Sequence, residues 1–100
     1  MATTLAANKK NLKRPRARSR AVLKQLLRTA FRAKFPQDTV DISDGFEGNI
    51  HVLVVSNVFD KMGERTRYSF LWRIVERTEL TPDEKDLITV LLAYSPRELR

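Results

Sequence analysis

Seven cations, Lys9, Lys10, Lys13, Arg14, Arg16, Arg18 and Arg20, fall within the first twenty residues, with no acid among them. Clustered Lys and Arg displace counterions from phosphates, so this segment has the chemistry of an electrostatic arm on DNA or RNA. Three other readings share the composition: a solvated extension, an acid-free and Arg-rich organelle transit peptide, and a contact with anionic membrane. Residues 21–100 carry twelve cations and twelve acids, so the net charge of +7 resides in the tail.

A second basic group, Lys61, Arg65, Arg67 and Arg73, surrounds the start of a later helix. Arg65 and Arg67 have the chemistry to contact phosphate, and the neighbouring Asp60 and Glu64 offer local ion pairs as an equal explanation. Tyr68 and Trp72 carry ring faces on which bases could stack. Their helical spacing places them on the core stripe, and packing is the stronger reading.

Catalytic and metal chemistry is sparse. His51 is the single histidine, the side chain whose ordinary pKa lies nearest neutrality, and it has no evident His, Cys or nucleophile partner. It reads as a half-buried strand residue. Asp38, Asp41, Asp44 and Glu47 are spaced as turn and exposed-strand positions and do not fit an EF-hand loop. Glu76 and Glu79 stand three apart on a helix rim, where solvated charge is the usual role. Gly45, Gly48 and Gly63 are the only glycines, and none sits in a phosphate-cradling fingerprint. Lys61-Met62-Gly63-Glu64 has one glycine and an acid where a Gly-x-x-Gly nucleic-acid loop needs two glycines. The serines lack a nucleophile elbow, and there is no cysteine to serve as thiolate ligand, nucleophile or disulfide partner. A non-enzymatic protein without metal or cofactor is expected.

The elements that hold these residues follow from periodicity. The tail, residues 1–20, has a proline within its charge run and little apolar content, so it is expected to be disordered. Residues 21–100 form the one domain. Leu23, Leu26, Leu27, Ala30, Phe31 and Phe35 recur at helical spacing, and Pro36 ends that helix. Thr39 to Ser43 alternates as a strand with Val40 and Ile42 inward. A turn-rich connection, residues 44–49, leads into Ile50 to Ser56, which is apolar on both faces. Such a strand is expected at the centre of a sheet, with cover or neighbours all round. Phe70, Leu71, Trp72, Ile74 and Val75 define the second helix. Thr81-Pro82-Asp83-Glu84 is a capping-box pattern with proline at the first helical position, and Ser95-Pro96-Arg97-Glu98 repeats it. Between them Leu87 to Tyr94 reads as a buried strand, parallel to the central one. The expected architecture is α+β, in the order α-β-β-α-α(short)-β, with helices on one face of a three-stranded mixed sheet.

This order and several landmarks resemble the BolA-like family, whose fold is similar to the class II KH domain. Phe-Pro followed by Val40-Asp41-Ile42-Ser43-Asp44 is similar to that family's first strand. Val55-Ser56-Asn57-Val58-Phe59 is similar to its Val-Ser-x-x-Phe strand end. Arg67 lies where the family has the Arg of its Arg-His-Arg helix start, and Tyr94-Ser95-Pro96-Arg97-Glu98 resembles its closing Thr-Pro-x-Glu. The resemblance spans residues 21–100. It implies a small regulator or adaptor, in some members with an iron–sulfur cluster shared with a monothiol glutaredoxin. Tyr68 occupies the position of the family's iron-binding histidine, Ser69 that of the second Arg, and Asp44–Asn49 offers no second ligand. A phenol is a poor iron ligand at neutral pH.

Two functions are therefore expected of these residues. The first is nucleic-acid contact through the tail, aided by Arg65 and Arg67. The second is a protein-binding adaptor role with a glutaredoxin-type partner. No apolar run is long enough to cross a bilayer. A cytoplasmic location is expected, or an organelle matrix if the tail is a transit peptide.

Overall fold

The computed structural model describes residues 18–100. Helix α1 spans Arg20–Lys34, one residue earlier at each end than its periodicity suggests. Ser19 caps it, its side chain accepting a hydrogen bond from Val22 N, because the first-turn amides have no helical partner. Leu23, Leu27 and Phe31 are its buried stripe, and Phe35 closes it before Pro36.

Strand β1, Thr39–Asp44, pairs antiparallel with β2, Ile50–Val55, in the register Thr39↔Val55 through Asp44↔Ile50. Two consecutive left-handed residues, Glu47 (φ 52°) and Gly48 (φ 84°), turn the connecting segment. Glycine adopts that conformation freely, whereas Glu47 carries a steric penalty there. At Gly45 a Cβ would meet the His51 ring, which would have to move aside.

Helix α2 spans Glu64–Glu76 and is followed by the four-residue α3, Pro82–Lys85, and strand β3, Ile88–Tyr94. β3 runs parallel to β2, so the sheet order is β1-β2-β3 with β2 in the centre. A register irregularity between Ile50 and His51 displaces Thr89 from the regular ladder. A short 3₁₀ turn, Pro96–Leu99, closes the chain. This is the α+β arrangement with a three-stranded mixed sheet that the sequence pattern implies.

Ile42, Ile50, Val52, Val54 and Ile88 face the helices and join Leu23, Leu27, Phe31, Leu71 and Val75 in one core. Phe35, Phe59 and Phe70 pack at its top with centroids 5.6 to 6.2 Å apart, within the range of favourable tilted and edge contacts.

As expected, β2 has a strand neighbour on each side, and the helices cover one of its faces. Its residues alternate between buried and half-buried. On the second face His51, Leu53 and Val55 are sheltered only by their strand neighbours Val90, Leu92 and Tyr94, with no further layer of described residues above. Strand neighbours alone shelter these apolar side chains only partly, which is why both faces read as buried in sequence.

Two phenylalanines test this layering. Phe31 is fully buried and Phe46 is 79% exposed. Phe31→Ala is expected to lower unfolding free energy by about 3–5 kcal/mol in urea titrations. Phe46→Ala is expected to change it by about 0.5 kcal/mol or less.

Candidate nucleic-acid interface

The expected phosphate-binding residues divide into three groups. Lys9, Lys10, Lys13, Arg14 and Arg16, together with the expected disorder of the tail, lie outside the described residues. Arg18 and Arg67 are committed to hydrogen bonds within the protein, and Arg20 faces Asp44. Arg65 has no partner among the described residues.

Arg18 belongs to the folded body rather than to the tail. Its Nη2 donates to Glu84 Oε1 at 2.7 Å, and its Nε and backbone N donate to Glu84 Oε2 at 3.1 and 2.9 Å. Glu84 is 1% exposed and also accepts from Thr81 N, closing the capping box at the start of α3. Arg20 begins α1 and faces Asp44 across 3.8 Å, while Lys24 reaches the same carboxylate at 3.0 Å. Arg18 is therefore held by hydrogen bonds, whereas Arg20 faces its carboxylate only at long range and its buried Nε has no hydrogen-bond partner among the described residues.

Arg67 is the largest correction. It occupies the inward stripe of α2 with Leu71, Ile74 and Val75, where an arginine was expected to reach solvent. A guanidinium has five N–H donors in a planar fork, and all five have partners. Nε donates to Met62 O at 2.9 Å. Nη1 donates to Ala93 O at 3.0 Å and Glu98 Oε1 at 2.7 Å. Nη2 donates to Phe59 O and Glu98 Oε2, at 2.7 and 2.9 Å. The guanidinium carbon also stands 5.9 Å from the Phe59 ring centroid. No donor is left for a phosphate. The expected local partners, Asp60 and Glu64, do not hold it; Asp60 faces Arg97 at 3.9 Å instead.

With Arg67 turned inward, Tyr68 and Trp72 are rotated away from the centre of the core stripe. Tyr68 is exposed, and its ring stacks on Trp72 with centroids 6.4 Å apart and planes 3° apart. Trp72 keeps part of its surface against the edge of the core. Tyr68 thus departs from the core stripe on which helical spacing places it, whereas Trp72 packs against the core as expected.

Some of the remaining polar candidates meet partners within the fold. Ser43 lies across from His51 on the open sheet face, but no hydrogen bond joins their side chains. Asp44 serves Arg20 and Lys24, Glu79 lies 3.9 Å from Arg18, and Glu76 accepts from Lys85 through its carbonyl. Among the described residues, no three His, Cys, Asp or Glu side chains converge as a metal site requires.

The free cations form a pattern that sequence reading did not assemble. Arg65, Arg73 and Arg77 are exposed along α2 and at its C-cap, with Ser69 completing their four-residue spacing. Among the described residues, none of these three side chains has a hydrogen-bond or ion-pair partner. Arg65 and Arg73 border one shallow hollow with Ser69 and Phe70. Arg77 borders the next with Lys34, Ala30 and Ala33 of α1. Exposed Arg28 on α1 is also unpaired among the described residues, and α1 contains no acid. The i, i+4 repeat on α2 and the acid-free α1 were the available signals. A scan of family profiles, a search of curated proteins and a search of solved structures return no match to this chain.

Hydrogen bonds from Arg18 and Arg67 hold the carboxyls of Glu84 and Glu98 down at about 2, from an ordinary 4.5. A carboxylate with a depressed folded pKa stabilises the fold above its unfolded pKa, and that contribution fades as pH falls toward the folded value. The urea midpoint is therefore expected to drop between pH 4.5 and about 2. Glu84→Gln and Glu98→Gln should each lower the midpoint at neutral pH and flatten its acid dependence. An unchanged acid profile in both variants would contradict these assignments.

Proposed function

We propose that this chain is a small, non-enzymatic BolA-like regulatory module that contacts nucleic acid through phosphate. The row of unpaired, exposed Arg65, Arg73 and Arg77 on α2, with Lys34 beside Arg77, carries the reading. Cations that already hold a carboxylate gain little by moving to a phosphate; these four have no such partner to give up among the described residues. The shallow hollows beside them supply apolar floor without an enclosed reaction chamber. The basic segment 9–16 adds further cations of the same kind.

The site has no base-reading element. Its chemistry is backbone recognition, so binding is expected to be weak, largely indifferent to sequence and steeply dependent on salt. Arg67 has no part in it, because its donors are filled. The family resemblance supports a regulatory role and adds no ligand, since Tyr68 stands in place of the family's histidine.

Replacing Arg65, Arg73 and Arg77 together with alanine is expected to weaken binding uniformly across oligonucleotide sequences. The slope of log affinity against log salt should fall by about 1 for each phosphate no longer neutralised. Deleting residues 1–17 should lower it further, while thermal unfolding of the triple variant stays close to the parent. Fluorescence anisotropy at several salt concentrations measures this. An unaltered slope in both variants would sink the mechanism.

A further inference from the structure

Tyr68 is an aromatic side chain that the core does not use. It is 54% exposed on α2, one turn before Trp72, and the two rings are parallel with centroids 6.4 Å apart. Parallel rings at that separation are offset and overlap little, so Tyr68 keeps ring surface free for a further partner. Trp72 anchors the pair, because part of its surface packs against the core.

The charges around this pair are sorted by sign. Residues three and four apart on a helix are neighbours, so Arg65 borders Tyr68, and Arg65, Ser69 and Arg73 form a row beside the two rings. Arg65 and Arg73 are exposed and have no partner among the described residues. Glu64, four residues before Tyr68, and Glu76, four after Trp72, bracket the rings on their own flank. The groove on the β3 side of Tyr68 is bordered by Glu64 and Glu98, and its one cation, Arg67, has no donor left. A phosphate is therefore drawn to the arginine row and refused by the ring flank. A neutral, planar, apolar group is accepted there.

We propose that this part of α2 binds an unpaired nucleotide strand, with phosphates on Arg65 and Arg73 and a base stacked on Tyr68. The inference rests on the phosphate-contact reading above and names the class of nucleic acid. The surface asks for a ligand that carries an anion and a planar apolar group side by side along one chain. An unpaired strand supplies both, and cations interleaved with stacking rings are the general chemistry of single-strand binding. In a duplex the base faces are already covered by the pairs above and below, which leaves Tyr68 nothing to stack on. Stacking reads no base edge, because every base has a π-face, so the expected indifference to sequence is kept.

The test is fluorescence anisotropy of the full chain with three probes of equal phosphate number: oligothymidylate of about 12 nucleotides, the same strand without bases, and a duplex. The thymidylate strand is expected to bind about tenfold or more tightly than the abasic strand, and more tightly than the duplex. Tyr68→Ala should abolish the difference between base-bearing and abasic strands. Its salt slope should stay at the parent's value, because no phosphate contact is lost. Tyr68→Phe, which keeps the ring, should keep the difference, and circular dichroism of both variants should match the parent. Trp72 is the sole tryptophan, and its emission should respond to the thymidylate strand and not to the abasic one. Equal binding of base-bearing and abasic strands with a steep salt slope overturns the stacking and leaves phosphate contact standing. Tighter binding of the duplex, or a difference that survives Tyr68→Ala, overturns the inference as well. Absence of salt-dependent binding to all three probes removes the phosphate reading and this inference together.

Discussion

The saturation of Arg67 is the constraint on which the rest of this domain depends. Its five donors join the carbonyl of Phe59 at the end of the central strand's turn, that of Met62 before α2, that of Ala93 on β3, and the carboxylate of Glu98 in the closing turn. At these places the chain leaves regular structure or ends a sheet, and its polar groups would otherwise be short of partners. Leaving such groups unpaired costs more than forming the bonds returns, so one charged side chain in the core is tolerated. A lysine, with three donors and no fork, could not span them all.

The other closing device is built on the same plan. Glu84 and Glu98 each reach back to the start of their own short helical turn, at Thr81 and Ser95, and each grips an arginine distant in sequence. The repeated Ser/Thr-Pro-x-Glu pattern thus performs two tasks. It satisfies the amides at the start of a turn, and it presents a carboxylate held below its usual pKa to a guanidinium. Arg18 and Arg67 are thereby removed from the surface charge.

That removal sorts the remaining charge. The free cations sit along the exposed side of α2 and on α1, while the β3 side of α2 keeps Tyr68 and Trp72. Had α2 been rotated to bury Tyr68, Arg67 would have faced solvent and left the carbonyls of Met62 and Ala93 without its donors. The hydrogen-bond demand of the core therefore decides which side chains of α2 face solvent.

Much of the architecture was legible before any tertiary contact. Pro36, the alternation of Val40 and Ile42, the apolar run Ile50–Val55 and the two capping patterns each specify local backbone, because each acts within a few residues. On α2 the burial of Leu71, Ile74 and Val75 was legible, and the exchange of Tyr68 for Arg67 on the inward stripe was not. Aromatic side chains outweighed an arginine in assigning its inward stripe, a sound rule when the arginine has no buried partners. The partners of Arg67 come from positions 59, 62, 93 and 98, and no local pattern announces that they converge. Likewise Arg18 and Arg20 read as tail until Glu84 and Asp44 arrive beside them. The amino-acid sequence determined the elements, their order and the total charge. Only the tertiary structure decided which cations were committed to the fold and which stayed exposed and unpaired among the described residues, because a buried carbonyl or carboxylate claims whichever donor the chain brings within hydrogen-bond reach.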